Sequence, residues 1–267
     1  MTRYGLIGEK LGHSYSKIIH EQLADYIYDL IPLSKEEFAP FMEAKNFTAL
    51  NVTIPYKKDV IPYLDEISDA AQTIGAVNCI VNKDGRLFGH NTDYAGFLYT
   101  LHNNNIKITG EKVLVLGNGG AAKAIVAALQ SLSPKDLITV KYKEEPGTVT
   151  YEQAAQMHTD ASVIVNTSPV GMYPDIDASP MDIAPYKALS AVVDIIYNPT
   201  TTKLLAQAKE RGITAVNGLE MLVAQAKYAV ELFLDTSIPD KRIEEVMNTL
   251  FASENNETFC LLNGIVK

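Results

Sequence analysis

Two polar runs carry side chains that could do chemistry together. Asn51-Val-Thr-Ile-Pro-Tyr-Lys57 ends in an ammonium, and Gly89-His-Asn-Thr-Asp93 ends in a carboxylate. An ammonium oriented by a carboxylate can donate a proton to an oxygen on which negative charge is growing. Further along, Gly117-x-Gly119-x-x-Ala122 has the spacing of a dinucleotide turn. In such a turn the first glycine bends the chain and the second lets the backbone approach a pyrophosphate. The third small residue lets the following helix pack closely. A proton donor, its orienting acid and a phosphate cradle are what reduction of a small carbonyl compound by a nicotinamide requires.

Each of these residues also has an ordinary structural reading. Lys57 and Lys58 follow Pro55, where a helix is expected to begin, and cations there oppose the helix dipole. They are either an exposed lysine pair or the attachment point of an anionic or carbonyl ligand. Asp93 stands before Tyr94-Ala-Gly-Phe-Leu98 and could serve only as an N-cap. Ser16 has the same alternative, in a loop that also holds Ser14. Asn78 lies within an apolar strand, where its amide must find either a core partner or a substrate. Tyr197 and Gln225 read singly as packing or surface residues.

The elements that must position these groups alternate between strand and helix. Tyr4 to Ile7 reads as a strand closed by Gly8, and Ile18 to Ile27 has helical apolar spacing. Thr48 to Ile54 is rich in strand formers. Ala76 to Val81 and Arg86 to His90 flank Lys83-Asp-Gly85, a hairpin turn signal. Asn103-Asn-Asn105 reads as a linker. Beyond it Lys112 to Leu116 is a continuous apolar strand, followed by the glycine turn and an alanine-rich helix to about Leu132. Strands are expected near Leu137 to Tyr142, Ser162 to Val165, Ala191 to Ile195 and Thr214 to Val216. A helix is expected over Lys203 to Arg211, stopped by Gly212. Leu219 to Phe233 and Arg242 to Phe251 read as closing helices, and the tail from Ser253 has no assigned role. The expected architecture is α/β in two domains. The first is an N-terminal α/β substrate domain with a mixed sheet, over 1–101 and completed by C-terminal helices within 220–267. The second is a Rossmann-like, doubly wound cofactor domain over 102–219.

Composition narrows the partners. The chain has 267 residues, 47% hydrophobic and 21% charged, enough for a sizeable core. Its net charge of −9 argues against nucleic acid and against an anionic membrane surface. Two cysteines, Cys79 and Cys260, stand far apart without metal-ligand neighbours, which fits a reducing compartment and no bound metal. Neither a signal peptide nor a membrane span is evident, so a cytoplasmic location is expected. Residues after the second strand of the cofactor domain, Thr139-Val-Lys141-Tyr-Lys143, offer two lysines and no acid before Glu144. That favours a cofactor carrying a 2′-phosphate over one with a free 2′-OH.

Taken in order, the motifs resemble the shikimate dehydrogenase family. The matching stretches are Gly12-His-Ser-Tyr-Ser16, Asn51 to Lys57, Gly75-Ala-Val-Asn78, Asp84-Gly-Arg-Leu, Gly89 to Asp93, Gly117-Asn-Gly-Gly-Ala, Asn166-Thr-Ser and Asn217 to Ala226. The resemblance implies reversible reduction of 3-dehydroshikimate to shikimate with NADPH, in aromatic amino-acid synthesis. It implies that Ser14 and Ser16 hold the substrate carboxylate. Thr53, Asn78, Tyr197 and Gln225 would join the catalytic pair, Lys57 and Asp93, around the ring. The cofactor is expected at Gly117, Asn118, Gly119, Gly120 and Ala121, at Lys141 and Lys143, and at Thr167 and Gly218. Its nicotinamide is expected near the Tyr197 loop and Leu222.

The chain also departs from the family pattern. Lys17 stands where the family often has proline, and an Asn-Arg-Thr run serving the 2′-phosphate is missing. The segment from Lys143 to Ser162 is short, with only Tyr151 to Met157 helical, so loss of a crossover helix is expected. NADP is the expected cofactor, with NAD as the alternative. An NAD-dependent quinate/shikimate dehydrogenase and a non-catalytic shikimate-binding relative stay open as alternative functions. Monomer and homodimer are both open.

Overall fold

A computed structural model of the chain describes residues 3–12 and 14–254. The expected tail beyond residue 254, with Cys260, lies outside the described residues. The chain divides into two compact units, Met1–Gly96 with Leu222–Lys267, and Phe97–Met221.

The first unit is built on a mixed sheet. Its elements are β1 (Tyr4–Gly8), α1 (Ser16–Leu23), β2 (Tyr28–Pro32), α2 (Lys35–Ala44), β3 (Ala49–Val52), β4 (Glu66–Ile67), α3 (Asp69–Ile74), β5 (Cys79–Lys83), β6 (Arg86–His90) and the start of α4 (Thr92–Asn103). The strand order is β2-β1-β3-β5-β6-β4. Strands β2, β1 and β3 run parallel, while β3, β5 and β6 pair antiparallel. Successive side chains alternate between two cores, as the strand period demands. Leu6, Ala49, Cys79 and Val81 point to one face, where Ala229 and Phe233 cover them. Ile7, Leu50 and Ile80 point to the other, against Phe38 and Met42 of α2. The hairpin signal holds: Asp84 and Gly85 both take positive φ (53° and 85°), as a type I′ turn requires.

The second unit contains β7 (Lys112–Leu116), α5 (Ala122–Ser131), β8 (Asp136–Lys141), β9 (Thr148–Thr150), α6 (Tyr151–Met157), β10 (Val163–Asn166), β11 (Ala191–Asp194), α7 (Lys203–Glu210) and β12 (Thr214–Val216). All its strand pairs are parallel, in the order β12-β11-β10-β7-β8-β9. Numbered from β7, this is the 3-2-1-4-5-6 order of a Rossmann sheet read from the β9 edge. Strand β8 passes to β9 through a loop, residues 142–147, so helix α6 comes only after β9. A capping box between Thr150 and Gln153 starts α6. The closing helices are α8 (Leu219–Leu234) and α9 (Lys241–Glu254). The Arg242 guanidinium of α9 donates to the Gln22 carbonyl of α1 at 2.7 Å.

Three local expectations need correction. No helix begins at Pro55: residues 55–60 form successive turns, and a short 3₁₀ turn follows at Ile61–Tyr63. The first helix stops at Leu23, and Ile27 is left 76% exposed. Asn103 to Asn105 is no linker. Helix α4 runs through Asn103, and the amides of Asn103 and Asn104 donate to the Glu220 carboxylate at 2.5 and 2.6 Å. Elements β2, α2, β4, α3 and β9 were not read from the sequence. For α2 the signal was present in Ser34-x-x-Glu37, which forms a reciprocal capping box.

One buried group gives this fold a measurable pH dependence. His20 of α1 is fully buried, stacked on Tyr28 with ring centres 4.0 Å apart. Its Nδ1 lies 2.7 Å from the Tyr26 hydroxyl, and its Nε2 has no partner among the described residues. Burial lowers the imidazole from 6.5 to about 3. The unfolded chain therefore binds the extra proton between these values, and stability is lost as pH falls from about 6.5 toward 3. The expected loss from this group is about 2 kcal/mol at pH 5. Denaturant melts at pH 7 and pH 5 check it: His20→Phe should show a smaller acid loss than the parent, whereas equal losses would contradict the assignment.

Candidate active site

Lys57 is held by a turn whose neighbour is anchored. The Tyr56 amide donates to the Thr53 carbonyl at 2.9 Å. The Tyr56 ring is 2% exposed and stacks on Phe38, and its hydroxyl donates to the Leu33 carbonyl at 2.6 Å. The Val77 amide donates to the Lys57 carbonyl at 2.8 Å, tying the turn to the strand edge. With both flanks fixed, the ammonium has a short reach to sample.

Asp93 does not act as an N-cap. It sits in the first turn of α4, and its carboxylate accepts from the Lys57 ammonium at 2.6 Å. The helix start is held by two buried asparagines instead. The Asn78 side-chain oxygen accepts from the Thr92 amide at 2.7 Å, and the Asn91 oxygen from the Tyr94 amide at 3.4 Å. The Asn91 nitrogen donates to the Ala76 carbonyl at 2.9 Å. The ammonium and carboxylate side chains are 17% and 12% exposed, screened from water but still reachable by a ligand. Such a pair is poor evidence for stability, because desolvation offsets much of the attraction. It is a good device for holding one charge in one place.

Two of the other residues expected around the substrate in the first unit, Asn78 and Gln225, are joined through Thr92. The Asn78 amide nitrogen donates to the Thr92 hydroxyl at 3.1 Å, and that hydroxyl donates toward the Gln225 oxygen at 3.4 Å. The Gln225 amide nitrogen donates to the Leu222 carbonyl at 2.9 Å. Thr53 is half-buried, its amide donating to the Ile7 carbonyl at 2.9 Å. Ser14 and Ser16 are half-buried as well. Ser16 is not an N-cap: it is the first residue of α1, and its amide donates to the Ser14 hydroxyl at 3.2 Å.

Sequence reasoning missed the residues behind this group. The Tyr28 hydroxyl donates to the Asn51 side-chain oxygen at 2.7 Å, and the Asn51 nitrogen donates to the Asn78 carbonyl at 3.2 Å. Thr92 joins that chain to Asp93 by a single peptide link. The available signal was a second amide, Asn51, inside an apolar strand, the same anomaly that marks Asn78.

The glycine turn lies in the second unit, at the carboxyl end of β7. Gly117 has φ +91°, and a side chain there would lie 3.2 Å from the Ser168 amide nitrogen. Gly117 is half-buried and Asn118, Gly119 and Gly120 are exposed, whereas Ala122 is 3% exposed where α5 packs on the sheet. A buried polar group supports the turn from behind. The Asn166 nitrogen donates to the Asp194 carboxylate at 3.0 Å, and the Thr202 hydroxyl donates to it at 2.7 Å. The Asn166 oxygen accepts from the Ser168 amide and hydroxyl, at 3.0 and 2.7 Å. Burial raises the Asp194 carboxyl to about 6. The Thr167 hydroxyl donates to the Leu116 carbonyl at 2.7 Å. Gly218 is obligatory for packing, since a Cβ there would meet the Ile195 carbonyl oxygen at 1.9 Å. Tyr197 is half-buried, and burial raises its phenol above the usual value. Lys141 is ion-paired with Glu145, and Lys143 is exposed.

Known proteins give this arrangement a family. A sequence model described as the shikimate dehydrogenase substrate binding domain matches residues 6–80. "Shikimate dehydrogenase (NADP(+))" of Clostridium beijerinckii is 38% identical, the match covering 95% of this chain and 99% of that protein. Among solved structures, a chorismate mutase/shikimate 5-dehydrogenase fusion protein from Clostridium acetobutylicum is 38% identical with a TM-score of 0.88. That match covers 94% of this chain and 98% of the other. Shikimate 5-dehydrogenase from Thermus thermophilus, solved with NADP(H) and shikimate, is 29% identical with a TM-score of 0.83, covering 93% and 99%. Likeness at these identities runs through both units, over the stretches that carry Lys57, Asp93 and the glycine turn, so the chain belongs to the shikimate dehydrogenase family.

Proposed function

We propose that this protein reduces 3-dehydroshikimate to shikimate reversibly with NADPH, and that Lys57 and Asp93 are its catalytic pair. The observation that carries the reading is the 2.6 Å contact between a largely screened ammonium and a largely screened carboxylate in a chain of this family. The substrate domain corresponds to the first unit and the cofactor domain to the second. Relatives supply the substrate and cofactor: the Clostridium beijerinckii protein is named for NADP(+), and the Thermus structure holds NADP(H) and shikimate.

The glycine turn fits a dinucleotide. Nothing but the Thr167 carbonyl, at 3.9 Å, would meet a side chain placed at Gly119, so the backbone there is open to close approach. Helix α5 begins at Ala122, so the positive end of its dipole lies at that turn. NADPH bound there supplies hydride to a carbonyl carbon. The chain's own residues do the rest. Ser14 and Ser16 offer hydroxyls to the substrate carboxylate, and Thr53, Asn78 and Gln225 orient the ring. Lys57, steadied by Asp93, stabilises negative charge on the C3 oxygen and donates the proton that makes it a hydroxyl. In the reverse direction Lys57 accepts that proton. Tyr197, in the second unit, is assigned to the substrate by the family resemblance alone. Gly117 to Ala121, Thr167 and Gly218 shape the cofactor's surroundings, with Lys141 and Lys143 toward its 2′-phosphate.

Among the described residues no helix is long and apolar enough to cross a membrane. A reaction that draws on reduced nicotinamide belongs in the cytoplasm.

An absorbance assay at the reduced-nicotinamide band, with shikimate and NADP or NAD in parallel, tests the activity. Lys57→Ala should lower kcat about 100-fold or more while melting near the parent temperature. Near-native turnover in that variant would reject Lys57 as the proton donor. Ser14→Ala should act on affinity: about a tenfold rise in KM for shikimate with kcat nearly kept, from the loss of one hydrogen bond to a charged group. A fall in kcat with KM unchanged would remove Ser14 from the carboxylate site.

A further inference from the structure

We propose that the carboxyl end of β8 is a nucleotide-selecting platform. Tyr142 stacks the adenine, Lys143 meets the 2′-phosphate, and Glu145 restrains that attraction by neutralising Lys141. The inference rests on the cofactor reading above and deepens it.

Three observations converge on this spot. First, in this strand order the ligand lies beyond the carboxyl ends of the strands, and the strand beside the glycine-turn strand ends near the adenosine ribose. Here that strand is β8, and it ends at Lys141. Second, Tyr142 is 70% exposed, an open aromatic face in a loop that leads straight into β9. It is not adrift. Its ring lies 4.8 Å from that of Tyr151, tilted by 42°, and Tyr151 packs against the core of the second unit. A braced, exposed tyrosine is a stacking surface for a purine.

Third, the charges on the loop are matched. Lys141-Tyr-Lys-Glu-Glu145 carries two cations and two anions. The Lys141 ammonium is bonded to the Glu145 carboxylate, with the lysine side chain 12% exposed and the glutamate 54%. Glu145 also shapes the loop with its backbone, its carbonyl accepting from the Thr148 amide at 3.0 Å, a role that its side chain does not share. Lys143 is exposed, which leaves its ammonium to answer a 2′-phosphate. Lys141 therefore contributes less than its charge suggests, and discrimination between NADP and NAD is modest in the native chain.

The test is calorimetric titration with two cofactor fragments, adenosine 2′,5′-bisphosphate and AMP, which report the adenosine end without turnover. Glu145→Gln should tighten the bisphosphate about fivefold and leave AMP unchanged, the scale of one partly exposed charge pair. Tyr142→Ala should weaken both fragments alike, by about tenfold, as loss of a stacking face does. If Glu145→Gln moves both fragments equally or neither, or Tyr142→Ala moves neither, the inference falls. The same preparations are assayed with shikimate and NADP. Turnover with fragment affinities that ignore these substitutions sinks the inference alone. Fragment affinities that follow it in a protein without turnover sink only the reading of the activity.

Discussion

The contact between the Lys57 ammonium and the Asp93 carboxylate is the constraint around which the first unit is arranged. The two residues are 36 positions apart, and neither has a local reason to find the other. The sheet brings them together. Strand β3 delivers the turn that carries Lys57, and the hairpin of β5 and β6 delivers the start of α4 and so Asp93. Because β5 pairs antiparallel with both β3 and β6, the exit ends of β3 and β6 lie at the same edge as the entry of β5. Asn78, just before β5, is placed there to bond the first turn of α4. A screened ion pair adds little to stability. Its physical value is positional: a flexible four-carbon side chain is reduced to one usable geometry.

Both units support exposed chemistry with buried polar groups at strand ends. In the first, Tyr28, Asn51, Asn78 and Thr92 form a hydrogen-bonded chain from the sheet to the start of α4. In the second, Asn166, Asp194 and Thr202 hold the loop that flanks the glycine turn. A buried amide or carboxylate is costly when a partner is missing and rigid when all partners are present. Asp194 shows the tension directly. Desolvation pushes its carboxyl up to about 6 although three donors favour its charged form.

Much of this was legible in the chain because the relevant signals are local. The Asp84-Gly85 turn needs two positive φ angles, and those residues announce it. The apolar run of β7, closed by glycines and an alanine-rich stretch, declares a strand, turn and helix without reference to anything distant. The features that are not legible depend on partners far along the chain. Asn103 and Asn104 read as a linker because their amides look solvent-bound, yet Glu220 receives both. Pro55 suited a helix start, but the segment after it is governed by the burial of Tyr56 against Phe38 and not by helix propensity. Asp93 looked like a cap because the first turn of a helix favours acids, while the actual caps are asparagines supplied by neighbouring strands or loops. Strand β9 is three residues long, too short for any period to register.

A double-mutant cycle on Lys57 and Asp93, read in kcat for shikimate oxidation, tests the central claim most directly. If the carboxylate acts through the ammonium, Lys57→Ala, Asp93→Asn and the double variant should lose activity to a similar degree, with a large coupling between the two positions. Losses that simply multiply would mean that the two groups work independently, and would contradict a carboxylate whose role is to hold the ammonium in place.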